Sequence, residues 1–200
     1  MIFGWDISTS VIGASLFTND CKYACSYHID LTKIDSGLID KSFAAEEWIM
    51  QLMDKHFADL SGRNYHFIED KLGGFSGGRT MQQVLLKLAA FNSTVTFIIC
   101  KCFRSCALES DFEHIHPSTV KSIMKREGLI IPKGQDKKKL TLAFVAQKES
   151  SFTVDKNRNE NPQPWCYDRA DSYIVARAGF LRKCVVDAQG KKVLPTQDES

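Results

Sequence analysis

Four acids in this 200-residue chain stand where acids are costly or conspicuous. Asp6 interrupts the apolar run Phe3-Gly4-Trp5-Asp6-Ile7, where a charge needs a partner. Glu69 closes a second apolar run, Tyr65-His66-Phe67-Ile68, and Asp70 follows it directly. Asp168 and Asp171 are three residues apart, which puts both carboxylates on one helix face. Each has an ordinary explanation alone. Asp6 can cap the turn at 8–10, Glu69 can be a solvated strand end, and acids in a first helical turn are favoured by the helix dipole. Converging from separate elements, however, four carboxylates repel one another unless cations lie between them. An all-oxygen set suits hard divalent ions, Mg2+ first and Mn2+ next. Two such ions ~4 Å apart clamp the attacking water and the leaving oxygen of an in-line phosphodiester displacement.

Such a site needs a surface for phosphates. Between His114 and Lys148 stand eight basic residues against two acidic ones, in a chain whose net charge is only +2. Lys121, Lys125, Lys137, Lys138 and Lys139 are among them. A solvated helix face is the ordinary reading of a charge run. The triplet Lys137-Lys138-Lys139 sits at a predicted helix start, where cations are unfavourable, and this points to phosphate contact. A second candidate surface is the loop Gly73-Gly74-Phe75-Ser76-Gly77-Gly78-Arg79. It can bring Phe75 to unpaired bases, with Arg79 beside it, or fold Phe75 back on the core. Neither GxGxxG nor GK[ST] occurs, so no nucleotide cofactor is expected.

The elements that must position these residues are legible in outline. Residues 1–6 and 15–18 read as two strands around the polar turn 8–13, and 23–31 as a third strand of a meander. Residues 43–57 carry apolar side chains at helical spacing, with Asp40 or Ser42 as the N-cap. A strand over 65–68 ends on Glu69. Residues 81–91 are helical, and 94–103 continue that helix because no breaker intervenes. A strand at 113–116 precedes Pro117, which opens a helix over 118–126 that Gly128 stops. Residues 140–147 form a further helix, 149–164 a polar mobile loop, and 168–182 the last strong helix. The expected fold is α/β: a mixed central sheet with an antiparallel meander, flanked by helices, over 1–183, with a polar tail at 184–200.

Composition narrows the classes. Hydrophobic residues at 44% and charged residues at 25% are the balance of a globular domain long enough to bury its own core. Seven cysteines, an odd number scattered in apolar runs, predict reduced thiols and an intracellular protein. Cys100, Cys102 and Cys106 near His114 and His116 invite zinc, but no Cys-x-x-Cys pair occurs and core packing is the expected role. No run of ~18 uninterrupted apolar residues is present, so no membrane span is expected. A DxSTS turn also occurs in actin-like sugar kinases, which need a second such domain that 200 residues cannot hold.

With these motifs in order, the chain resembles the RuvC-like Holliday-junction resolvases of the ribonuclease H-like superfamily. The segment FGWDISTSVIGASLF looks like the family's first hairpin with its catalytic Asp, FIED carries the second acid at Glu69, and DRADSYIVARAG looks like the closing helix with acids at Asp168 and Asp171. The resemblance runs from about residue 1 to 182. It implies a ribonuclease H-like fold, two divalent ions per site, cleavage of branched DNA, and a homodimer presenting two sites. It also implies lysines that contact DNA and support catalysis, matched by Lys121 and by Lys138 or Lys139. The segment 149–164 is long for a bacterial resolvase of this type, which suggests a divergent, viral or organellar member. An RNA–DNA hybrid ribonuclease, a flap nuclease, or a silent nucleic-acid-binding protein would use the same constellation.

Overall fold

The computed structural model describes residues 1–70, 79–186 and 192–193. A five-stranded sheet in the order β3-β2-β1-β4-β5 forms its centre. The strands are β1 (Ile2–Ile7), β2 (Val11–Phe17), β3 (Tyr23–Asp30), β4 (Asn64–Glu69) and β5 (Ser110–Ile115). β1, β2 and β3 form the antiparallel meander, whereas β4 and β5 run parallel to β1. β1 and β2 are buried at every position, because helices cover both faces of the sheet. The expected mixed sheet with its antiparallel meander and flanking helices is therefore present.

The period of two along β1 sorts its residues. Phe3, Trp5 and Ile7 enter a core closed by α1 (Leu38–His56) and α2 (Arg79–Ser105). Ile2 enters the opposite core, closed by α3 (Pro117–Arg126), α4 (Lys137–Lys148) and α5 (Pro164–Lys183). By the same alternation, Gly4 and Asp6 face α5.

α5 lies unusually close to the sheet. A Cβ at Gly4 would stand 2.1 Å from the Ser172 carbonyl oxygen, and one at Gly13 would stand 2.4 Å from that of Asp168. At the far end, a Cβ on Gly179 would strike the Phe67 ring at 2.1 Å. Glycine in a strand interior marks such a close backbone approach. Ser15 Oγ donates to the Arg169 carbonyl at 3.1 Å, and Ser15 and Ser172 share a 2.8 Å hydrogen bond. These contacts fix the rotation of α5 and hence the direction of its acids.

Several local expectations are corrected. α1 starts at Leu38, with Gly37 at the cap and no side-chain cap, so Asp40 lies in the first turn and Ser42 Oγ donates to the Leu38 carbonyl. The segment 149–164 is held against α5, chiefly by Arg169, which is 6% exposed. Its guanidinium donates to Asp155 at 3.1 Å, to Thr153 at 3.3 Å and to Ser26 at 2.9 Å, and lies over the Phe152 ring. Trp165 Nε1 adds a bond to Asp155, and the Tyr173 hydroxyl donates to Glu149. Composition predicted mobility because the ties come from α5, outside the segment. Beyond α5, β6 (Val185–Val186) and β7 (Lys192–Val193) pair in a short antiparallel ladder.

α2 is one continuous helix, as its lack of breakers predicted. Residues 82–105 of it are long and apolar enough to cross a membrane, yet Phe91, Val95, Ile98, Ile99, Cys102 and Phe103 form a stripe inside the core. The rest of that helix and its neighbour α1 expose Phe43, Phe97 and Ile39. All seven cysteines are free thiols, and Cys102 packs in the core with Cys106 against it.

A buried histidine lies in the core closed by α1 and α2. His66 stacks between Phe3 and Phe112, accepts from Trp5 Nε1 at 3.2 Å through Nδ1, and leaves Nε2 without a hydrogen-bond partner. Burial, and then the Met1 amino group, push its pKa down to about 3. In the unfolded chain it titrates near 6.5, so its contribution is complete above that pH and is lost as pH falls toward the folded value. Urea unfolding should lose about 1.4 kcal/mol per pH unit from this group between roughly 6 and 4. His66→Phe should flatten that limb. An unchanged slope in the variant would refute the assignment.

Candidate functional site

The predicted acids meet at one end of the sheet. Trp5 pairs with Ile68 in the parallel β1–β4 ladder, so the next residues, Asp6 and Glu69, stand side by side where both strands end. The antiparallel partner of Asp6 is Gly13. Because Gly13 has no side chain, the first turns of α5 lie directly on this end of the sheet, bringing Asp168 and Asp171 above Asp6. Asp6 and Asp168 are buried, and Glu69 and Asp171 are half-buried. Asn92, 3% exposed on α2, donates Nδ2 to the Glu69 carbonyl at 3.2 Å and fixes the end of β4.

The groups are close enough to act on one another's charge. Asp171 is pushed up to about 7, first by burial and then by the Asp6 charge, with a smaller push from Glu69. Lys137 and Lys138 oppose that shift. Lys138 Nζ donates to Asp168 Oδ1 at 3.2 Å. Burial works against the Lys138 charge, but Asp168, then Asp171 and Asp6, outweigh it and hold the ammonium above the usual lysine range.

The lysine triplet resolves into distinct placements. Lys138 reaches the acids, Lys137 lines a cavity on α3 and is near enough to act on the Asp171 charge, and Lys139 is exposed on the first turn of α4. Three cations at a helix start are tolerable because Asp136 caps it, accepting from the Lys138 and Lys139 backbone N–H groups. Lys121 lies on α3 beside Lys125 and Lys137, around a shared cavity. Arg79 opens α2, while Phe75 lies outside the described residues.

The donor set fits divalent cations of the hard class. It consists of carboxylate oxygens from three elements, and the buried Asp171 Oδ1 has no hydrogen-bond partner. A counter-charge there would relieve the repulsion that raises Asp171. Among the described residues, no three His, Cys, Asp or Glu groups stand together so as to hold a metal ion. The arrangement is an open bowl of acids with Lys138 on its rim, not a preformed chelate.

Sequence reasoning missed the residues that shape this bowl: Gly4, Gly13, Ser15, Ser172 and Asn92. The two strand glycines carried a readable signal, since glycine inside an apolar strand marks close approach. Asn92 carried none, because its role depends on where α2 meets β4.

A mixed sheet whose first three strands form a meander, with β4 and β5 parallel to the first and a long closing helix across it, is a ribonuclease H-like fold. Among solved structures, it is similar to RuvC from Thermus thermophilus, with a TM-score of 0.55 at 12% identity over 96% of this chain and 99% of that one. It is likewise similar to T. thermophilus RuvC in complex with a Holliday junction substrate, with a TM-score of 0.54 at 10% identity over 96% of each chain. At such identities the likeness is one of fold. No protein-family model matches the chain, and no curated protein matches it in sequence.

Proposed function

We propose that this chain is a divalent-metal-dependent endonuclease that cleaves branched DNA, in the manner of a divergent Holliday-junction resolvase. The observation that carries the reading is the convergence of Asp6, Glu69, Asp168 and Asp171 at one sheet end, with Lys138 reaching in from α4. The RuvC-like fold supports it, and the RuvC complex with a Holliday junction substrate supports branched DNA as the substrate class.

The four acids would hold Mg2+ or Mn2+, two ions per site. When bound, such ions activate water and stabilise the leaving oxygen. Asp6, beside Glu69 and within electrostatic reach of Asp171, would be one of the residues holding them. Lys138 holds positive charge beside Asp168, where a phosphate oxygen would arrive. Lys121, Lys137 and Lys139, with Arg79, would hold the phosphate backbone, a sequence-independent and salt-sensitive contact. Paired cuts at a junction call for a homodimer with two sites, and the exposed Phe43, Phe97 and Ile39 of α1 and α2 support one.

Lys138→Ala should lower the single-turnover cleavage rate about 100-fold, the cost of removing one electrostatic donor. Its melting temperature should stay near wild type, since the side chain is 55% exposed. A fall of less than threefold would remove Lys138 from the catalytic set.

The function is tested by incubating the full chain with a four-way junction, a linear duplex, a flap and an RNA–DNA hybrid, with Mg2+ or EDTA, beside Asp6→Asn. The expected result is Mg2+-dependent cutting of the junction that Asp6→Asn lacks. No cutting of any substrate with Mg2+ or Mn2+ would sink the nuclease reading, and equal cutting of all would sink branch selectivity.

A further inference from the structure

Beside the acids lies a cavity of about 270 Å³ that their chemistry does not use. Val120, Leu129 and Ile174 form its buried floor, and Ile130, 68% exposed, stands at its mouth. Lys121, Lys125 and Lys137 surround it. We propose that this cavity receives one unstacked nucleobase of the bound strand, with the adjoining phosphates held by the three lysines. The proposal rests on the nuclease reading and deepens it.

Position ties the cavity to the acids. Ile174 is three residues beyond Asp171 on α5, so it lies on the same face, about 4.5 Å further along the axis. Lys137 ties the two places together: it precedes Lys138, which donates to Asp168, and its side chain lines the cavity. A strand held at the acids therefore passes Lys137 and next meets the cavity.

Size and chemistry select the occupant. The volume falls just below the ~300–1,000 Å³ of pockets for drug-sized ligands, which suits one heterocycle and excludes a dinucleotide. Aliphatic walls sandwich a base through its flat faces, as in sites for extruded bases. Lysine ammonium groups around an apolar floor match a ligand with an apolar body and an anionic tail. An unpaired base enters at least cost, because a paired one must first leave its stack. The cavity would thus favour strands with unpaired nucleotides at a branch over continuous duplex.

Two measurements on the full chain test this. The first follows isoleucine methyl signals by NMR during addition of thymidine 5′-monophosphate, with inorganic phosphate as the comparison. The second measures, without divalent cation, the Kd of the Asp6→Asn protein for a four-way junction, intact or lacking one base beside the branch. Both are repeated with Ile130→Asp, an exposed position whose variant should keep the wild-type melting temperature. The mononucleotide should shift Ile130, Ile131 and Ile174, and phosphate alone should not. Base removal and Ile130→Asp should each weaken junction binding at least 10-fold, with no further loss when combined. Unmoved methyls, or equal affinity for intact and abasic junctions, would overturn the proposal. If these binding results hold while wild type cuts nothing with Mg2+ or Mn2+, the subsite stands and the nuclease reading falls.

Discussion

Asp171→Asn is expected to abolish cleavage and, at the same time, to raise the melting temperature of the metal-free protein. The native site holds this carboxyl at about 7, whereas in the unfolded chain it titrates near 3.8. Its folded pKa is raised, so ionisation disfavours the native state. The penalty is absent below about 3.8, grows as pH rises, and is complete above about 7. A fully buried group would forfeit about 4 kcal/mol over such an interval. Asp171 is half-buried, and solvent screening reduces this to about 1–3 kcal/mol. For a chain of this size, Asn should then raise the melting temperature at pH 8 by roughly 3–10 °C. Activity should fall by at least about 1,000-fold, equivalent to about 4 kcal/mol of barrier. Mg2+ should raise the melting temperature of wild type more than that of the variant, because only a folded-state ligand stabilises by mass action. A lower melting temperature for the variant in EDTA at pH 8 would contradict the argument.

Gly13→Ala should have the opposite effect on stability. Its Cβ would lie 2.4 Å from the Asp168 carbonyl oxygen and 2.7 Å from the carbonyl carbon, which are backbone atoms of α5 and cannot rotate away. Either the helix lifts at its acid-bearing turn or β2 is pushed down. Overpacking of this kind costs about 3 kcal/mol. The melting temperature should drop by roughly 6–12 °C, and cleavage should fall at least about 100-fold because acids displaced by 1 Å lose their geometry. Gly4→Ala, 2.1 Å from the Ser172 oxygen, should cost at least as much stability through the middle of the same helix. Urea unfolding and cleavage of the same preparations distinguish the outcomes. A Gly13→Ala protein as stable and active as wild type would mean that α5 has room to move.

The sequence carried the strand order's raw material but not its register. Alternation and apolar runs placed β1, β4 and the long helix α2, because those signals are local. The acids were legible as oddities: a charge in an apolar strand, a charge at a strand end, and a pair three apart. Their meeting was legible only through motif order. What decides it physically is the Asp6–Gly13 pairing and the close seat of α5, both long-range. The same limit explains the segment 149–164, whose polar composition concealed its ties to Arg169. It also explains Lys138. Three lysines in a row are equivalent in sequence, and only the phase of α4 set by the Asp136 cap turns one of them toward Asp168.

The first strand supplies Asp6 and the last long helix supplies Asp168 and Asp171, so nearly the whole chain separates the two halves of the site. During synthesis the single acid of β1 emerges early, long before the pair on α5 is made. A chain interrupted between β4 and α5 has Asp6 and Glu69 but no opposing pair, and it also lacks the helix that closes one of its two cores. Such fragments cannot assemble the four-acid site, and the apolar sheet face that α5 covers lies open in them, which favours aggregation. A complete four-acid site therefore arrives late in synthesis, only once α5 has been made.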